Sequence, residues 1–230
     1  MISDAKKHGG SGDGSTDAHT SGFFERRLDA LASDAGLSMR FCSVVGSTGM
    51  PHAEMPVLPS APSQGSFESL QERIVKEFAA ATGVPATVRL FLPWSRQSSL
   101  AEVVAATKRR RLRARRVIVE LSADDDQERT LSVARATSQA GFSVALRLDS
   151  LGEADAQFLL ELGADYPHIP APPLDFEEAF AWRDLMDAVT LRRGRPIVGG
   201  VDTSEHARLV DAAGAWLTYG THTAPARFLC

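Results

Sequence analysis

One junction recurs along this chain and restricts it to very few architectures: the end of a helix, then glycine, then a short apolar run. It appears as DAG-LSMRF, ATG-VPATVRLFL, QAG-FSVALRL, ELG-ADYPHI, RRG-RPIVGG and AAG-AWLTYG. Gly36, Gly83, Gly141, Gly163, Gly194 and Gly214 are therefore expected at helix C-caps, where glycine takes positive φ at little steric cost. The runs that follow are too short for helices, and most carry the β-branched or aromatic residues of buried strands. A further strand, RVIVELS (116–122), follows a basic segment without the glycine. Between the runs lie helical stripes. Leu70, Ile74 and Phe78 are spaced four apart, and His206, Leu209, Val210 and Ala213 follow i, i+3, i+4, i+7. Ser99–Glu102 and Ser150–Glu153 have capping-box spacing. Strand, helix, glycine and strand, repeated about seven times, predict an α/β chain with a parallel sheet. A length of 230 residues favours a closed, TIM-barrel-like sheet, although spacing alone also fits an open doubly wound one.

Composition narrows the function classes. With 43% hydrophobic and 23% charged residues, the chain has enough apolar material for one sizeable core. A net charge of −4 is not that of a molecule built as a whole to hold nucleic acid or an anionic membrane. Cys42 and Cys230 are the only cysteines, so no disulfide framework or CxxC metal site is available, and a reducing, cytoplasmic setting fits. No secretory h-region or 18-residue apolar span is evident, so membrane insertion is not expected. Residues 1–21, rich in Gly, Ser and Asp, are expected to form a disordered tail dispensable for folding, and 22–230 a single domain. PVLPSAPSQGS (56–66) reads as a loop.

Several features admit both a functional and a plain reading. KRRRLRARR (108–116) is basic except at Leu112 and Ala114. It suits an anionic partner, or equally a helix C-terminus whose cations complement the macrodipole, and it lacks the interleaved aromatics of a stacking platform. GSTG (46–49) superficially suggests a phosphate loop but lacks the lysine and spacing, so a strand-end turn is expected. The histidines form no HxH or HExxH pair, which argues against zinc. His206 lies on a helix stripe, as a packed or capping residue does. Trp94 and Trp216 flank strand ends, where they line a pocket or pack in the core. PAPPLD (170–175) reads as a rigid loop, either a binding edge or a plain connection to the next helix.

In such folds the strands' C-terminal ends carry function. There the chain resembles the EAL domain, the bacterial phosphodiesterase that opens cyclic di-GMP. AGFSVALRLDSLG (140–152), RPIVGGVDTSEH (195–206) and LVDAAGAWLTYGTHTAP (209–225) look like the family's "GVRIALDDFGTG", "RVVAEGVETEEQ" and "LxxLGCDYVQGYLFSRP" segments. HAEMP (52–56) falls on the Glu-Ala-Leu signature itself. The resemblance spans roughly residues 23–230 and implies an EAL-type barrel. The family's reaction uses two divalent cations held by carboxylates and an Asn, with a Lys near the attacking water. Here its Asp-Asp pair falls on Arg147 and Leu148, its "AEGVE" Glu on Gly199, its Lys on His168 and its Asn on Phe91. Glu54 matches the signature Glu. Glu120 matches either the metal Glu of "EITE" or its neighbour, in which case Ala123 takes the metal position.

The resemblance thus implies a catalytically inactive module with no metal and no cofactor. Its expected role is regulatory, binding a protein partner through Arg147 and the loop of Pro170, Pro172 and Pro173. Cyclic di-GMP binding is not expected, because the aspartates are gone and the family's Arg after the signature falls on Leu58. A receptor that binds cyclic di-GMP without hydrolysing it is the nearest alternative. An unrelated barrel enzyme using Glu54, Glu120, Asp149 or His168 is the other, and it requires two of those side chains within hydrogen-bond reach.

Overall fold

The computed structural model describes residues 39–57, 67–94, 98–123, 126–148, 153–173, 176–223 and 227–228. The expected tail, Gly36, Leu58, Asp149 and Ser150 lie outside them. β1 (Arg40–Gly46) turns into β2 (Pro51–Pro56), and α1 (Phe67–Ala80) leads to β3 (Arg89–Pro93). Then follow α2 (Leu100–Arg109), a 3-10 turn (Ala114–Arg116), β4 (Val117–Ser122), α3 (Gln127–Gln139), β5 (Ser143–Arg147), α4 (Glu153–Leu162) and β6 (Tyr166–Pro170). The chain continues through α5 (Phe176–Leu191), β7 (Ile197–Gly199), α6 (Ser204–Ala212), β8 (Leu217–Thr218) and β9 (Arg227–Phe228).

β2 to β8 lie side by side and parallel, and β1 closes them by pairing antiparallel with both β2 and β8. The sheet is a closed eight-stranded mixed barrel, with β9 added antiparallel to β1. Closure, which spacing alone left open, needs β1 to pair with β2, a strand that no glycine junction announces. PHAEMP begins and ends in proline, which marks strand ends and hides a strand from a propensity reading. GSTG is the turn before it, with Gly49 at φ 74° and its N–H donating to the Gly46 carbonyl at 2.8 Å.

The period-2 alternation of each strand divides the core in two. Val117, Val119 and Leu121 face the helices, with Leu70, Ile74 and Phe78 packed over the same outer layer. Ile118 faces the barrel axis with Val44, Ala53, Phe91, Ala145, Tyr166, Ile197 and Leu217. The α6 stripe is narrower than its spacing implies: Val210 is buried, but Leu209 is exposed.

The junctions differ in detail. Gly141, Gly163 and Gly214 have the expected positive φ. At the α5–β7 junction Arg193 takes it instead, at φ 62°. Gly194 serves close approach, since a Cβ there would lie 3.0 Å from Val189 Cγ1 and 3.2 Å from Pro167 Cγ. Ser99 sits at the α2 N-cap without a side-chain cap bond. Side chains that do cap are Asp126, accepting from Arg129 N, and Thr203, accepting from His206 N.

The basic run begins as the C-terminal turn of α2, as its plain reading expects. Arg111, at φ 54°, turns the chain, and Arg109 pairs with Glu72 at 3.2 Å. Arg116 differs from its neighbours. Its guanidinium donates to the Val88 carbonyl at 2.9 and 3.1 Å and to Pro85 at 3.2 Å, and stacks 5.2 Å above the Phe78 ring. Arg116→Ala should therefore destabilise by roughly 1–3 kcal/mol, as expected for lost hydrogen bonds to a charged group. Arg113→Ala and Arg115→Ala, at exposed positions, should stay within about 0.5 kcal/mol. Urea titrations of the three variants check this.

Candidate functional site

Inward-facing residues near the C-terminal ends of the parallel strands define the site. Glu120 on β4, Arg147 on β5 and His168 on β6 follow their strands' alternation into the lumen, after Ile118, Ala145 and Tyr166. Glu120 and His168 are 3% exposed each. His168 Nδ1 donates to Glu120 Oε1 at 2.5 Å, and its Nε2 shares a 2.8 Å hydrogen bond with the Tyr219 hydroxyl. An ionised carboxylate only accepts, so the Nδ1 proton is fixed. Nε2 then accepts from Tyr219 in the neutral ring or donates to it in the imidazolium. The His168 and Tyr219 rings meet edge to face at 5.2 Å. Burial alone would raise the Glu120 pKa. The His168 charge and hydrogen bond, with Arg147 beside them, outweigh it and hold the carboxyl below its ordinary value.

Gly199, on β7, makes room for this chain of contacts. A Cβ built on it would lie 2.4 Å from Tyr219 Oη and 2.6 Å from both Cε1 and Cζ. Tyr219 thus fills the volume that a side chain at 199 would need. Sequence reading missed Tyr219. Its signal was its place two residues beyond the inward-facing Leu217, next to a strand ending in glycine.

The remaining sequence-derived positions separate from this cluster. Leu148 is buried in the outer layer, with the helices. Phe91 packs inside the barrel, edge to face with Tyr166. Glu54 is buried and accepts from Ser43 Oγ at 2.8 Å. It lies in register with Leu90, an outer-layer residue, whereas the preceding Ala53 packs in the inner layer. Alternation places Glu54 on the helix-facing side of the sheet, apart from Glu120. In the proline loop the Pro170 carbonyl accepts from Trp182 Nε1 at 2.9 Å, Pro172 is buried, and Pro173 is half-buried. Much of that loop is fixed against α5. Of the two flanking tryptophans, Trp94 packs partly buried against the core, while Trp216 is 76% exposed.

These donors do not fit a pair of hard cations. A divalent ion needs several anionic oxygens on one point, whereas Glu120 is committed to His168 and has Arg147 as a charged neighbour. Among the described residues, no group of three His, Cys, Asp or Glu side chains converges as a metal ion requires. Nor is any described helix long and apolar enough to cross a membrane.

Solved EAL domains share this architecture. The EAL domain of Mycobacterium smegmatis DcpA superposes with a TM-score of 0.69 at 15% identity, covering 85% of this chain and 93% of its own. A standalone EAL protein from Vibrio cholerae, solved bound to c-di-GMP, gives 0.64 at 13% identity, covering 81% and 90%. The FimX EAL domain gives 0.66 at 16% identity, covering 80% and 88%. No family model matches the sequence, and neither does any curated protein. The fold is therefore that of an EAL-type domain, reached at low sequence identity.

Proposed function

We propose that this chain is a non-catalytic EAL-type module acting in cyclic di-GMP signalling by binding another protein. The observation that carries the reading is Tyr219 packed over Gly199 and bonded to His168. The position matched to a metal-binding Glu is filled by a ring, and the lumen carboxylate Glu120 is held by a histidine. Glu54, the other match to a family carboxylate, faces away. The V. cholerae neighbour was solved with the nucleotide, which makes cyclic di-GMP the ligand to test. Incubation with cyclic di-GMP and Mg²⁺ or Mn²⁺ should give no linear dinucleotide above a no-protein control. Turnover that disappears in Glu120→Gln would sink the reading. Calorimetry with cyclic di-GMP should show no binding heat, and a saturable isotherm would favour the receptor role instead.

One observation favours a second reading. Glu120 and His168 meet the hydrogen-bond condition for an acid–base pair, and Tyr219 extends them by one further group. In that reading the carboxylate orients the imidazole, which takes or returns the Tyr219 proton. The interaction module ranks first because the Tyr219 hydroxyl points inward to His168 and all three groups are satisfied by one another.

A further inference from the structure

The opposite end of the barrel, where the parallel strands begin, is rich in arginine. The α2–β4 connection brings Arg110, Arg111, Arg113 and Arg115 there, all exposed, and the α5–β7 connection brings Arg192 and Arg193. Arg89 opens β3, and Arg195 lies just before β7. Both donate to the Tyr166 hydroxyl, Arg195 at 3.4 Å. The Arg89 guanidinium also stands 5.5 Å over the Tyr166 ring. His52 Nε2 lies 3.4 Å from the same hydroxyl. Burial first, then the charges of Arg89 and Arg195, hold the His52 pKa below its ordinary value. Of the acidic residues at this end, Asp165 is the one that acts on Arg89, and its Oδ2 is already taken by Val144 N at 3.0 Å. A molecule of net charge −4 thus carries a strongly basic end.

Large apolar side chains stand in solvent at the same end, Trp216 and Met50 among them. Trp216 is 76% exposed and Met50 69%. Their carbonyls lie 3.7 and 3.8 Å from a Cβ position built on Gly46, so the residues flank one point on β1. Arg195 precedes β7, the strand beside the one Trp216 precedes, and strands lie about 4.8 Å apart. Arginine, tryptophan and methionine are enriched in protein interfaces, and arginine with tryptophan dominates their hot spots.

We infer that this strand-start end is the docking face for a protein segment that presents carboxylates beside an apolar side chain. The inference deepens the interaction-module reading and rests on it. It moves the contact surface away from Arg147 and the proline loop. The paired guanidiniums of Arg89 and Arg195 offer fork-shaped donors that match a carboxylate. Met50 and Trp216 supply apolar contact for which a nucleic-acid backbone has little use, and the chain's overall negative charge repels a long polyanion.

The test uses the full chain and a capped 12-residue peptide alternating glutamate and leucine, titrated by calorimetry. Intrinsic tryptophan fluorescence, with the Trp216 contribution taken as the difference from Trp216→Ala, gives an independent readout. Arg195→Gln and Trp216→Ala change exposed side chains, and circular dichroism verifies that both variants fold. Each should weaken peptide binding at least about tenfold, and added salt should weaken it further. Absence of peptide binding would overturn the inference, as would variants that bind like wild type. Loss of binding in Arg147→Ala alone would return the interface to the other end. Tighter binding of a single-stranded oligonucleotide, sensitive to the same two variants, would make this a nucleic-acid face instead. Hydrolysis of cyclic di-GMP by a protein that still binds the peptide would sink the non-catalytic reading and leave this surface standing. A protein with neither activity would do the reverse.

Discussion

Gly199→Ala should destabilise this protein by about 2–3 kcal/mol, in the upper part of the range for overpacking a filled core. Here the added methyl has nowhere to go. Its ideal position lies 2.4–2.6 Å from three atoms of the Tyr219 ring and hydroxyl, far inside van der Waals contact. The ring can yield only by breaking its 2.8 Å bond to His168. In a domain of this size that loss corresponds to a thermal midpoint lower by roughly 4–12 °C. Gly199→Glu, which places there the residue type of the EAL-family segment it resembles, should fare worse, because it brings a second carboxylate toward Glu120. Tyr219→Ala removes the obstacle but opens a cavity. Added to Gly199→Ala it should therefore show a coupling of at least about 1 kcal/mol in favour of the double variant. A Gly199→Ala midpoint within a degree of wild type would show that Tyr219 does not occupy this volume in solution, and the carrying observation for the proposed function would fall with it.

The frame of the fold was legible because a local, repeated signal wrote it. A helix end, glycine and a buried strand can follow one another many times only in an α/β sheet, and Gly141, Gly163 and Gly214 stand where that signal put them. Where the same job went to another residue, local chemistry misled. Arg193 takes the left-handed turn, and Gly194 is there to let Val189 and Pro167 approach. Closure was not legible, because β1 and β2 pair antiparallel through a hairpin whose strand begins and ends in proline.

The site was half legible for a similar reason. Motif matching finds residue types, and it led to Glu120, Arg147, His168 and Gly199, which are adjacent in space. It cannot see which way a side chain points. Glu54 matched the family's signature, yet its neighbour Ala53 packs inside the barrel and Glu54 does not. Leu148 likewise turns to the helices. Tyr219 was missed because it matches no motif. It acts by volume, filling what glycine leaves empty, and such pairs become visible only once adjacent strands are known. The basic run shows the same limit. Its plain reading explains Arg109 and Arg116, but the fold places its exposed members at one end with Arg89, Arg192 and Arg195, which no local pattern indicates.

His168→Leu should cost about 3–5 kcal/mol at neutral pH, because it removes the hydrogen-bond partner of a buried carboxylate and leaves that charge uncompensated in the lumen. Glu120 is 3% exposed and its Oε1 bonds to His168. In the variant Arg147 alone opposes the burial penalty. The double variant Glu120→Leu with His168→Leu should recover most of the loss, since an apolar pair of similar volume replaces a buried polar one and leaves no charge behind. Acid separates this account from simple loss of packing. In wild type the Glu120 pKa is depressed below its ordinary 4.5. Its stabilising contribution is therefore complete above about that pH and disappears as pH falls through the lower folded value. In His168→Leu the two strongest lowering influences, the charge and the hydrogen bond of His168, are gone, so burial raises the pKa instead. That variant gains stability, relative to its own neutral-pH value, as acid neutralises the carboxyl. The gap between wild type and His168→Leu should narrow from pH 7 to pH 4 and below, while the gap between wild type and the double variant changes in step with Glu120 titration alone. Urea midpoints across that range measure both. A His168→Leu deficit that stays constant with pH would mean that Glu120 is not the charge His168 holds in the lumen, and that the histidine serves only as filling.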